Sequence, residues 1–274
     1  MPPTPLEEVP FREYWVRDGK RYAMLNFLRK LRKKEMKTGR YLKYALGEII
    51  LVVIGILIAL SINNWNQGRL AKQEETKLLQ NIKVDFERTK TTLEQLNVRR
   101  DESLFTFNAL IEVRNSGKFS NAVRIDTLLA KTLFSPTYNG TTSSIAVVIN
   151  SGKINLLSSD SLKSLLLAWP VQIENLIERE VDAQVMTNEE WLPFAQSYTS
   201  VNDWFKYYDF PGIPAKARDS KVSKEYKGLF NDRRFENTIT KLELLYTAGK
   251  LRTNGLIKSA EEIIQTIDNE LKRR

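Results

Sequence analysis

The most apolar run in the sequence is IILVVIGILIALSI, Ile49–Ile62, and it carries no charge. Fourteen residues alone fall short of a bilayer, but the flanks extend the run. Tyr44, Ala45, Leu46 and Gly47 precede Glu48, and Trp65 follows Asn63 and Asn64. As a helix, Tyr44 to Trp65 rises about 32 Å at roughly 1.5 Å per residue. A hydrocarbon core is about 30 Å thick. Tyr41, Tyr44 and Trp65 then fall at the two membrane–water interfaces, where amphipathic rings settle. The pattern predicts a transmembrane helix over residues 44–65. The core leads into Asn63-Asn64-Trp65-Asn66 and not into small residues, so an uncleaved signal anchor is expected.

Beyond the anchor the period changes. Leu79, Ile82, Phe86, Leu93, Leu96, Phe107 and Leu110 follow alternating steps of three and four, which predicts a long helix over 66–115 with one buried stripe. Thr89, Arg100 and Ser103 interrupt that stripe at the same register, and Asn115-Ser116-Gly117 should end the helix. Shorter elements follow. A helix is expected over Ile125–Phe134 before Pro136, then a turn at Tyr138-Asn139-Gly140. Thr141–Ser144 offer caps for Ile145–Asn150, with Gly152 as its stop. Ser159-Asp160 cap a helix to Trp169. Pro170 opens another that runs to about Ser200, with Pro193 as a kink. Residues 203–222 read as irregular, and Phe235–Leu271 as a last long helix. The sum is an all-α fold: one transmembrane helix followed by an extracytoplasmic helical bundle of four to five helices.

Charge sets the orientation. The net charge is +9. Residues 1–43 hold +7 of it, and residues 44–274 hold +2. Arg29, Lys30, Arg32, Lys33, Lys34, Lys37, Arg40 and Lys43 crowd the approach to the anchor, against Arg69, Lys72, Lys77 and Lys83 after it. The positive-inside rule leaves the leader in the cytoplasm and puts residues 66–274 on the far side. Met24, Phe27, Leu28 and Leu31 line one face of the leader, so it reads as an interfacial helix with anionic lipid headgroups as partners. Basicity placed there points to a membrane surface and away from nucleic acid. Residues 1–23 are Pro-rich and without periodicity, and Met24 is an alternative start.

One anchor face differs from the rest. Glu48, Val52, Gly55, Ala59 and Asn63 share it, and Gly55 and Ala59 form a small-xxx-small pair. Two readings stand: Glu48 snorkels to the interface beside Lys43 or Arg40, or the face permits close helix approach, with a homodimer as the partner.

Candidate chemistry is thin. There is no cysteine and no histidine, which removes thiol nucleophiles, thiolate metal sites and the commonest general base. Asn150-Ser151-Gly152-Lys153 lacks the spaced glycine of a phosphate-binding loop. Glu174, Glu178 and Asp182 form one ridge that reads as a solvated face, too few ligands for a calcium or magnesium site. No enzyme and no cofactor or metal is expected. Residues 191–210 hold eight of the 27 aromatics, among them Trp191, Phe194, Trp204, Phe205, Tyr207, Tyr208 and Phe210. Trp191, Trp204, Phe205, Tyr207, Tyr208 and Phe210 are the candidate partner or ligand patch, with packing onto the bundle and anchoring at the membrane interface as the other readings.

The segment MLNFLRKLRKKEMKTGRYLKYALGEIILVVIGILIALSINNWNQ, residues 24–67, resembles the opening of a bacterial family, the domain of unknown function 6090. SGKINLLSSDSLKSLLLAW, residues 151–169, is similar to a second stretch of that family. The resemblance implies a bacterial inner-membrane protein, found mainly in Bacteroidetes, with an extracytoplasmic helical domain and no catalytic residues. Two functional classes fit: a membrane-tethered scaffold for another envelope protein, or an extracytoplasmic ligand sensor acting through a cytoplasmic partner.

Overall fold

A computed structural model describes residues 38–140, 143–207 and 220–273. The expected interfacial helix around Met24–Leu31, the caps at Thr141 and Thr142, and Tyr208 and Phe210 lie outside the described residues. The first helix, α1, spans Thr38–Ser116. It contributes to two compact units, residues 1–68 and 69–274.

In the first unit, α1 carries a stretch long and apolar enough to cross a membrane. Its side chains are exposed throughout: Leu51 is 73% exposed, Ile56 54% and Leu60 51%. A largely apolar and unburied stretch of this length has the length and composition of a membrane span. Space beside Gly55 is open, since a Cβ there would meet nothing within 4 Å.

In the second unit, three long helical segments carry the core. They are the rest of α1, α4 (Asp160–Val185) and α8 (Arg233–Lys272). The intervening helices are short: α2 (Ala122–Ala130), α3 (Ser143–Asn150), α5 (Leu192–Gln196), α6 (Val201–Trp204) and α7 (Tyr226–Asn231). The expectation of four to five substantial helices thus becomes three, among the described residues.

Side-chain pairs give the directions. Lys83 pairs with Asp268 at 2.6 Å, Lys90 with Glu261 at 2.6 Å, and Asn97 with Asn254 at 2.7 Å. Each step is seven residues up α1 and seven down α8, so the two run antiparallel in coiled-coil register. Against α4 the numbers rise together. Glu75 accepts from the Ser158 N–H at 2.5 Å, Phe86 meets Trp169 edge-on at 4.8 Å, and Arg100 meets Glu180 at 2.5 Å. Helices α1 and α4 are therefore parallel. The segment from 117 to 159 makes the return that a parallel pair requires.

Two hydrophobic clusters fill the unit. One joins Leu79, Ile82, Phe86, Leu93, Trp169, Ile173 and Ile263; the other joins Phe107, Leu110, Leu129, Trp191, Trp204, Phe230 and Phe235. Each fully buried Leu, Ile or Phe contributes roughly 1.5–3 kcal/mol of transfer free energy. Gly117, with φ of 65°, ends α1, and Gly152, with φ of 72°, follows α3; glycine has no Cβ to oppose that backbone.

Two expectations are corrected. Helix α2 starts at Ala122, where Asn121 Oδ1 accepts the Arg124 N–H, and stops at Ala130. Pro170 does not start a helix but lies inside α4. Its ring removes one backbone bond, yet Leu166, Trp169 and Ile173 are buried on both sides of it, and that packing holds the helix together. The break falls later, as a π-turn over Met186–Trp191, where the Leu192 N–H reaches the Thr187 carbonyl. Pro193 follows directly and lacks the N–H that would close a regular turn.

Candidate functional site

The π-turn organises the region beside it. Trp191 is wholly buried, and its Nε1–H donates to Thr132 Oγ1 at 2.7 Å. Thr187 Oγ1 donates to the Ala183 carbonyl and lies 2.9 Å from Ser135 Oγ. The Tyr138 N–H donates to Glu180 Oε2 at 2.8 Å. These bonds pin the connection 131–139 to α4, and Phe134 between them is turned outward, 60% exposed.

The pinned connection and α1 border an open groove of about 730 Å³. Val98, Phe105 and Phe134 supply apolar surface; Arg99, Asp101, Glu102 and Lys131 supply charge; Pro136, Thr137 and Asn139 close one side. Phe105 is 71% exposed. Exposed aromatics ringed by both signs of charge suit a protein surface better than a small molecule, which needs enclosure.

Behind this groove, between the two hydrophobic clusters, lies a buried polar layer. Arg100 is 1% exposed. Its guanidinium donates to Glu180 Oε1 at 2.5 Å, to the Gly249 carbonyl at 3.0 Å and to Thr253 Oγ1. Burial pulls the Arg100 pKa down, and Glu180 opposes it. Burial likewise pushes the Glu180 carboxyl up, against the Tyr138 N–H and Arg100. Gly249 is glycine for a steric reason: a Cβ there would lie 3.3 Å from Arg100 Cζ.

A second buried cluster sits at α2. Asp126 is wholly buried and accepts from Lys224 Nζ at 2.6 Å and Tyr226 Oη at 2.7 Å. Asp203 lies 3.5 Å from the same Lys224. Burial and then the Asp126 bond push the Tyr226 hydroxyl well above its ordinary value. Burial alone would lower Lys224, but Asp126 and Asp203 outweigh it and leave the ammonium favoured.

The candidate residues from the sequence fall in different places. Trp191 and Trp204 are 0% exposed, core members that offer no face to a partner. Phe205 is half-buried, and Tyr207 is 38% exposed. The patch is therefore not gathered as one surface among the described residues. Large rings near an irregular segment follow the free energy of burial, which is the packing reading. Glu48, Val52, Gly55, Ala59 and Asn63 are all exposed along the apolar stretch of α1. On the acidic ridge, Asp182 is taken by Arg179 at 2.9 Å, and among the described residues no three acidic groups converge to hold a metal. The groove and the buried layer were not assembled from sequence. Their one visible signal was Arg100 at a core register.

No curated protein and no solved structure matches the chain. A family model matches residues 48–211, more than half the chain, taking in the anchor from Glu48 and the stretch 151–169. The chain belongs to this family, described as a family of unknown function (DUF6090).

Proposed function

We propose that the protein is a membrane-tethered interaction protein of the bacterial envelope. In this reading residues 44–65 cross the inner membrane, the basic leader lies on anionic headgroups inside, and residues 66–274 face outward to hold an envelope partner. The carrying observation is the open groove with Phe105 and Phe134 exposed beside Arg99, Glu102 and Lys131. Large exposed rings cost hydration and contribute to stability only when covered, as at interface hot spots. The anchor face Glu48–Asn63 is the proposed site of self-association, which would give each assembly two grooves. A photo-reactive residue at position 105, introduced into the full-length protein in cells, tests the reading. A discrete adduct to one envelope protein supports it, and adducts indistinguishable from those at an unrelated surface position refute it. The sensor reading needs an enclosed, polar-lined cavity, whereas the grooves among the described residues are open.

A further inference from the structure

The sequence contains two Asn-Gly pairs, Asn139-Gly140 and Asn254-Gly255. Asparagine before glycine is the sequence most prone to self-cyclisation, because no Cβ shields the following backbone nitrogen. Their surroundings differ. Asn139 is exposed, and the backbone at 139–140 is outside any helix. A long contact of 3.4 Å from Thr137 Oγ1 reaches its Oδ1, which polarises the amide carbonyl. Among the described residues nothing accepts from the Gly140 N–H. Asn254 lies within α8, where a regular helix bonds the Gly255 N–H to the carbonyl four residues back. Its Oδ1 is also held by Asn97 Nδ2 at 2.7 Å.

Packing, moreover, disfavours a side chain at 140 unless Tyr138 moves. A Cβ there would overlap the hydroxyl oxygen and Cζ of Tyr138. Tyr138 is itself 8% exposed. The placement of Tyr138 thus favours glycine beside an exposed asparagine.

We infer that Asn139 is a site of spontaneous deamidation, and that the fold protects Asn254. The Gly140 nitrogen attacks Asn139 Cγ and loses its proton to hydroxide. The new N–C bond closes a five-membered succinimide as Nδ2 takes a proton from water, the Cγ–Nδ2 bond breaks and ammonia leaves, returning the hydroxide. Water then opens either ring C–N bond, giving aspartate or isoaspartate. Either product places a carboxylate in the groove that Arg99 and Lys131 line. The isoaspartate also adds one carbon to the backbone next to Tyr138, whose N–H satisfies the buried Glu180. The surface proposed for a partner therefore changes charge with the age of the molecule; the chemistry itself does not depend on that reading.

The test incubates the full-length protein, folded in detergent micelles, in mildly alkaline buffer, followed by peptide mapping with mass spectrometry. The expected result is replacement of amide by acid, split into two isomers, in the peptide holding residue 139. The peptide holding residue 254 should convert roughly tenfold more slowly or less, because its attack needs local opening of a helix interior. In denaturant both should convert at similar rates. Asn139→Gln should abolish the fast conversion and leave the slow one unchanged. Comparable folded-state rates at the two sites would overturn the inference, as would an Asn139 that converts only in denaturant.

Discussion

Replacing Arg100 by methionine removes a guanidinium and keeps most of its apolar volume. The change strands Glu180, which is 6% exposed and keeps the Tyr138 N–H as its bond. Thr253 and the Gly249 carbonyl lose a donor but remain bonded to each other at 3.0 Å. The cost is therefore dominated by one uncompensated buried carboxylate, about 3–5 kcal/mol. Against a typical total of about 5–15 kcal/mol, that is a large share of the stability. Adding Glu180→Gln removes the stranded charge and keeps an acceptor for Tyr138, so the double variant should recover about 1–3 kcal/mol of the loss. The assay is urea unfolding of the full-length protein in micelles, followed by emission of the buried Trp169, Trp191 and Trp204. A pH series adds a second arm. Glu180 is raised in the folded state, so its own contribution to stability is full below the unfolded carboxyl value, near 4.5, and is lost as pH rises through the folded value. Losing Arg100 moves that upper edge higher, so the deficit of the single variant should shrink in acid. A single-variant loss below about 1 kcal/mol, or a double variant no better than the single, would refute the reasoning.

Other perturbations follow from the same geometry. Gly249→Ala should lower the melting temperature despite its better helix propensity, because its Cβ meets Arg100, and Arg100→Met should reverse the sign in the double variant. Thr132→Val leaves the Trp191 Nε1–H buried without its acceptor and should cost about 1–3 kcal/mol in urea unfolding, with a shifted tryptophan emission. The raised Tyr226 hydroxyl stays protonated in the folded state, so its contribution is full below pH of about 10 and lost above it. Tyr226→Phe should therefore flatten the alkaline limb of stability against pH. Gly55→Ile has open space around it, so in a transmembrane association reporter it should cut the signal without changing membrane insertion; an unchanged signal would remove the proposed dimer face.

The sequence showed some of this directly. The uncharged Ile49–Ile62 run with its aromatic ends, the apolar stripe of α1 and the stops at Gly117 and Gly152 are local signals, and each has a local physical cause. The three-helix arrangement was less visible, because Pro170 reads as a helix start unless the burial of Leu166 and Ile173 around it is known. The aromatic stretch left its readings open for a related reason. Trp191 and Trp204 look like a patch in one dimension, whereas the π-turn swings Trp191 inward toward Thr132, far away in sequence. The groove combines α1 with the 131–139 connection, and nothing in either segment alone marks the pairing. Arg100 was visible as a charge at a core position, but its partner Glu180 sits on the buried α4 stripe with Leu176 and Ala183, and nothing local pairs the two.

The central claim is that the groove beside Phe105 holds a protein partner while the apolar stretch of α1 holds the membrane. The most direct measurement is in-cell photo-cross-linking of the full-length protein from position 105, with position 244 on the outer side of α8 as the control. Leu244 is 69% exposed and matches Phe105 in accessibility. The account predicts a discrete, reproducible adduct from position 105 in the membrane fraction, lost when Lys131→Glu reverses the charge at the groove, and no such adduct from position 244. Equal labelling from both positions, or a position-105 adduct indifferent to Lys131→Glu, would contradict it.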